Sequence, residues 1–165
     1  RCNGLFLESG SPGLRSEPER STRRATDEEK ASRLQSENFE EFVRDWYHQP
    51  LFASLARDEE RLERTISTRL QNDPVELARS LRGMGSGRQP SLWEELAGLR
   101  VPALAVAGEL DEKFVGIIRR MTDLNPGVRV AVVPGAGHNV RAEALKEYLR
   151  LLKGFVFGLY NLPHD

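Results

Sequence analysis

At 165 residues, with 39 % hydrophobic and 30 % charged side chains, the chain has the makeup of a globular domain with a packed core, not of a disordered or fibrous segment. Its net charge of −1 excludes a general affinity for nucleic acid or anionic membrane, and no apolar run approaches the roughly 20 residues of a membrane span. A single cysteine, Cys2, excludes an intrachain disulfide and a cysteine-built zinc site, and fits a reducing compartment.

The chain opens on RCNGLFLESG, with neither an initiator methionine nor a signal-peptide layout, so it is expected to begin inside a domain. Residues 4–8 read as a short buried strand. SGSPGL at 9–14 is the loop after it, punctuated by Gly10, Pro12 and Gly13. Residues 15–36 are dense in charge and predict an exposed helix laced by i,i+4 pairs. Phe39, Phe42, Val43, Trp46 and Tyr47 recur at helical spacing over 38–48, before Pro50. A further charged helix spans 58–71, with Leu62, Ile66 and Leu70 on one face. Asp73 and Pro74 are an N-cap and first-turn proline for a helix over 74–82. A Gly-rich loop fills 83–90, and Ser91 with Glu94 predicts a capping box for a short helix around Trp93.

The pattern then changes. VPALAVAG at 101–108 is a continuous apolar run, suited to a parallel strand buried on both faces. A helix over 113–123, a second such strand at 128–135 and a final helix from about 141 to 160 follow. Alternating strands and helices predict an α/β architecture with a parallel sheet. The division expected is a strand and loop at 1–14, a helical lid region at 15–98 and core strands and helices at 99–165.

In such sheets, ligands bind beyond the carboxyl ends of the strands. Asp111, in AGELDEKF, and His138, in PGAGHNV, each follow a strand end. A carboxylate that accepts from one imidazole nitrogen fixes the tautomer and leaves the other nitrogen to take a proton. Gly135 and Gly137 allow the tight turn that presents the histidine. The competing readings are plain: Asp111 as the cap of the next helix, and His138 as a loop surface residue. The order acid then histidine matches the α/β-hydrolase fold, in which a serine on a G-x-S-x-G elbow comes first. No such elbow exists here: Ser86 follows Met84 at the critical spacing, and Ser11 follows Ser9. The nucleophile is expected before Arg1. Asp27, Asp45 and Asp58 read as helix-surface or capping acids, and His48 and His164 have no partner legible in the sequence.

SGSPGL with its arginine-rich helix, DWYHQPLFASL, GELDEKF and PGAGHNV together resemble the 2-succinyl-6-hydroxy-2,4-cyclohexadiene-1-carboxylate synthase family. The resemblance covers about residues 4–140. RLQNDPVELARSL and SGRQPSLWEEL look most like the version at the end of the fused, multifunctional plastid protein of phylloquinone synthesis. The resemblance implies the C-terminal portion of an α/β-hydrolase fold with a helical lid, working in menaquinone or phylloquinone biosynthesis. It implies Asp111 and His138 as catalytic, and Arg23, Arg69 and Trp46 as substrate-binding lid residues, with Arg24 adjacent to Arg23. The implied reaction is pyruvate elimination from an anionic cyclohexene-carboxylate. A serine activated by His138 acts as the base, and neither metal nor organic cofactor is required.

The implied partners are that small substrate, the upstream part of the same domain and fused pathway enzymes. The implied location is the chloroplast; without the resemblance the chain reads as soluble and cytoplasmic. Lacking the serine, the chain alone is expected to be inactive and prone to aggregate. A carboxylesterase or C–C hydrolase on the same scaffold, and a non-catalytic remnant kept for binding or assembly, are the alternatives. One departure stands out. The family has a Glu-Asn-Pro loop after the histidine, whereas NVRAEALKEY here reads as running straight into helix.

Overall fold

The computed structural model describes residues 2–160, with the Tyr160 side chain excepted. His164 lies outside the described residues. The chain divides into two compact units, one of Arg1–Ser11 with Glu95–Asp165 and one of Pro12–Glu94.

The first unit is an α/β layer. Strands β1 (Leu5–Glu8), β2 (Ala103–Gly108) and β3 (Val128–Val133) form a parallel sheet in the order β1-β2-β3. Leu5 is in register with Ala103, and Ala103 in turn with Val128. Every residue of β2 is buried, as its unbroken apolar run predicts for a central strand. Leu104 and Val106 point into a core with Val133, Val140 and Phe155, and Phe6 packs against it. Pleating turns Ala103, Ala105 and Ala107 to the other face. Helix α6 (Glu112–Leu124) lies against β2 and β3 and buries Val115, Ile118 and Met121. Buried Asn125 ends α6. Its Nδ2 donates to the carbonyls of Leu96 and Leu99, and its Oδ1 accepts from the Gly127 amide.

Three expectations for this unit are corrected. β1 is half-buried at all four residues, because among the described residues it pairs with β2 alone. β3 is likewise an outer strand of the described sheet, and Arg129, Val130 and Val132 face outward. The final helix is two: α7 (Val140–Glu143) and α8 (Leu145–Tyr160), broken at Ala144, which leaves helical geometry at φ −138° and ψ 52°.

The second unit is helical. Its helices are α1 (Glu17–Ser36), α2 (Phe39–Tyr47), α3 (Glu59–Arg69) and α4 (Pro74–Met84). Each starts on a side-chain cap. Ser16 makes a full capping box with Glu19, and Asn38, Asp58 and Asp73 accept from first-turn amides of the next three. α1 packs on α4, and α2 on α3. Phe42, Tyr47, Phe52, Leu55 and Ile66 supply the buried bulk. The ends of the unit are tied: Leu92 N donates to Pro12 O at 2.7 Å, and buried Trp93 donates through Nε1 to Gly13 O at 2.9 Å. The short helix α5 (Trp93–Leu96) follows. Asp58 is a cap and Asp45 an exposed partner of Arg33, as the sequence suggests. Asp27 is a correction. It is 3 % exposed rather than on a surface, and its Oδ1 takes the Arg23 guanidinium at 2.7 Å. A buried carboxylate needs such a partner. His48 also has one, its Nδ1 donating to Arg44 O.

Candidate active site

The ends of β2 and β3 carry two loops that are laced together. Glu109 N donates to Val133 O and Leu110 N to Ala136 O, both at 2.9 Å, while the Glu109 carboxylate accepts from Gly135 N. Gly108 permits this approach. A Cβ there would collide with the carbonyl oxygens of Ala136 and Gly137. Gly135 sits at φ +69°, the left-handed region in which glycine alone is unstrained.

This lacing brings Asp111 and His138 together. His138 Nδ1 lies 2.6 Å from Asp111 Oδ2, with the aspartate side chain 4 % exposed and the imidazole partly open. A carboxylate only accepts, so Nδ1 carries the proton and Nε2 is the basic nitrogen. The other oxygen of Asp111 caps α6, accepting from Phe114 N at 3.3 Å. The Phe114 ring then packs against the imidazole, with centroids 4.8 Å apart. One residue thus anchors the acid by its amide and the base by its ring.

The main chain around His138 is held as well. Ser9, in the left-handed region at φ +44°, donates from Oγ to His138 O at 2.7 Å. Glu143 accepts from Gly137 N at 3.0 Å and from Asn139 N at 3.3 Å. Ser9, Glu109, Phe114 and Glu143 escape sequence reasoning. The first two and the last bind backbone groups, which leave no mark in residue identity. Only the position of Glu143, one helical turn past Asn139 in a stretch otherwise read as helix, hints at a cap.

Arg23, Arg69 and Trp46 belong to the helical unit. Arg23 is committed to Asp27 through Nε, with the side chain 39 % exposed. Arg69, exposed at the end of α3, donates from Nε to the hydroxyl of buried Tyr47 at 3.1 Å. Trp46 is half-buried beside Phe42, with the Lys30 ammonium 4.8 Å over its ring. Burial, then the positive charge of Arg23, push Lys30 below the ordinary lysine value. Lys30 thus pairs with Trp46, a cation and ring that the sequence alone did not bring together. Arg24 is engaged elsewhere, with Gly87 O and Glu17.

A parallel β2–α6–β3 unit with an acid after one strand and a paired histidine after the next defines the class: the chain is a C-terminal portion of an α/β-hydrolase fold. Within that fold the resemblance to the 2-succinyl-6-hydroxy-2,4-cyclohexadiene-1-carboxylate synthase family holds in both sequence and structure. The chain is 39 % identical over 160 residues to the putative 2-succinyl-6-hydroxy-2,4-cyclohexadiene-1-carboxylate synthase of Bacillus subtilis, a match of 96 % of this chain and 58 % of that protein. It is 32 % identical over 169 residues to the chloroplastic protein PHYLLO of Arabidopsis thaliana, covering 98 % of this chain and 10 % of that one. The solved structure of MenH from S. aureus superposes with a TM-score of 0.92 at 36 % identity, over 96 % of this chain and 60 % of that chain. A thermophilic esterase from Thermogutta terrifontis shares the fold at a TM-score of 0.77 and 20 % identity, over 95 % and 56 % of the two chains. No protein-family model matches the chain. The chain therefore spans a little under three-fifths of the Bacillus relative it matches. No helix among the described residues is long and apolar enough to cross a membrane.

Proposed function

We propose that this chain carries the acid and the histidine of a lyase that eliminates pyruvate from an anionic cyclohexene-carboxylate, giving 2-succinyl-6-hydroxy-2,4-cyclohexadiene-1-carboxylate in quinone biosynthesis. The observation that supports it most is the 2.6 Å hydrogen bond from His138 Nδ1 to buried Asp111 Oδ2, at adjacent strand ends. In this reading Asp111 holds the tautomer and stabilises the imidazolium. Nε2 of His138 takes the proton of a serine hydroxyl supplied by the remainder of the fold. That serine oxygen removes a proton from the substrate ring, electrons shift through the ring, and pyruvate departs. Arg23 and Arg69 hold substrate carboxylates and Trp46 packs on the ring. Arginine forks suit carboxylates, and cations placed where negative charge develops lower the barrier. The likeness to a chloroplastic relative supports a plastid setting.

The test is pyruvate release from the pathway intermediate by the complete gene product. His138→Ala should abolish it, and near-normal release would remove His138 from the mechanism. Ester turnover without pyruvate release would return the pair to hydrolase chemistry.

A further inference from the structure

The contacts around His138 assign a role to a residue that the proposed mechanism does not use. We infer that Glu143 is a positioning residue for the Asp111–His138 pair: its carboxylate clamps the main chain on both sides of His138 and thereby sets the imidazole on the aspartate. The inference rests on the reading of that pair as catalytic, but its geometry stands without it.

First, the two carboxylate oxygens divide the work: Oε2 accepts from Gly137 N at 3.0 Å and Oε1 from Asn139 N at 3.3 Å. The residue between these two amides is His138. A single rigid anion therefore fixes the peptide units on both flanks of one side chain. Second, the clamp is supported from its own side. Glu143 is the last residue of α7, whose Val140 is fully buried in the core with Phe155. Glu143 N and Ala142 N both donate to Asn139 O, so the short helix closes back on the same loop. The break at Ala144 ends that helix as soon as Glu143 has been presented. Third, the remaining degrees of freedom are closed by different groups. Ser9 holds the His138 carbonyl, and Glu109 holds the Gly135 amide at the far end of the loop. Among these contacts Glu143 is the one that brackets the histidine. Charge-assisted bonds to a carboxylate are about twice as strong as neutral ones. Misplacing a catalytic group by about 1 Å can cost on the order of 100-fold in rate. A clamp on the backbone is thus a direct control on the base.

The experiment uses proton and nitrogen NMR of the complete gene product, with turnover and thermal midpoint measured in parallel. In the unaltered protein the amide protons of Gly137 and Asn139 should lie downfield, as bonds to a carboxylate require. The His138 Nδ1 proton should lie far downfield on its short bond to Asp111. Both amides in the ordinary range would overturn the inference without any variant. Glu143→Gln keeps the size but offers one acceptor oxygen where two amides need one, and turns an NH₂ toward the other. The Nδ1 proton should broaden or move upfield, and kcat should fall about 10- to 100-fold with KM within about 2-fold. Glu143→Asp keeps the charge but shortens the reach, and should fall between the two. An unchanged Nδ1 resonance in a folded Glu143→Gln protein would overturn the inference, as would a KM effect alone. The ring resonance answers for Glu143 whatever reaction the pair performs. Pyruvate release by His138→Ala answers separately for the reaction, so the two readings fail independently.

Discussion

Asp111 faces His138 with one carboxylate oxygen and caps α6 with the other, 2.6 Å from Nδ1 and 3.3 Å from the Phe114 amide. The cap on α6 and the bond to His138 are therefore both made by this aspartate, and they can be separated by substitution. In Asp111→Asn, the amide oxygen can keep the cap, which turns the NH₂ toward His138 and selects the wrong imidazole tautomer. Turnover by the complete gene product should fall about 10³- to 10⁴-fold, as loss of the triad carboxylate does elsewhere. Asp111→Ala should lose a similar amount of activity and about 1 kcal/mol more stability, because the cap goes too. Urea unfolding beside the rate assay checks both. Equal stability for the two variants would show that the 3.3 Å cap contributes nothing.

The two glycines of the laced loops should fail for different reasons. Gly108→Ala drives a methyl into the carbonyls of Ala136 and Gly137, which are backbone and cannot rotate away. Overpacking of that kind costs about 1–3 kcal/mol. It also displaces the residue just before His138, so activity should drop with stability. Gly135→Ala meets no neighbour within 4 Å but holds φ at +69°. Its cost is backbone strain alone, about 1–2 kcal/mol. Urea midpoints give the losses. A crystal structure should show the His138 loop shifted in the first variant and unmoved in the second.

Ser9 couples strain to a hydrogen bond. Its φ of +44° is unfavourable for a residue with a Cβ, and its Oγ bond to His138 O is what that conformation secures. Ser9→Ala loses the bond, worth about 1 kcal/mol, and keeps the strain. Ser9→Gly loses the same bond but relieves the strain. The glycine variant should therefore be the more stable of the two by about 1 kcal/mol in urea unfolding. The reverse order would mean that the conformation is set by neighbours other than the hydroxyl.

The meeting of Asp111 and His138 was legible because their positions are local: each follows an apolar run suited to a strand, and glycines precede the histidine. The central strand β2 was legible for the same reason, since a run buried on both faces has no polar alternation. The two other strands were legible as strands but not as outer ones. Nothing in GLFLE or VRVAVV distinguishes a run with two neighbouring strands from a run with one, because strand order is a tertiary fact. Asp27 reads as a helix-surface or capping acid from its residue type and place in a charged helix, while its burial depends on packing between α1 and α4. Glu143 was hidden by α7. A four-residue helix, a break and a longer helix have nearly the same composition as one helix. The partners of Glu143 are amides that every residue but proline possesses.

In the helical unit, pH should act through Arg44. Its guanidinium bridges α2 to α3 by two bonds to Glu63, at 2.7 and 3.1 Å, and reaches Glu40 through Nε. The hydrogen bonds from Arg44, and then its charge, hold the Glu63 carboxyl below the ordinary glutamate value, while the unfolded chain has no such partner. The folded state thus binds its proton less readily than the unfolded one. The contribution of Glu63 is fully present above the unfolded value and is lost as pH falls through the lowered folded value. Glu63→Gln should therefore be less stable than the unaltered chain near about pH 7, and the gap should close on acidification below the ordinary glutamate range of about 4.3. Both carboxylate and guanidinium are well exposed, so the gap at neutral pH should be small and should shrink further as salt is added. Urea midpoints for the two proteins across that range, at low and high salt, check each part. A gap that stayed open in acid would mean that the Glu63 charge is not its source.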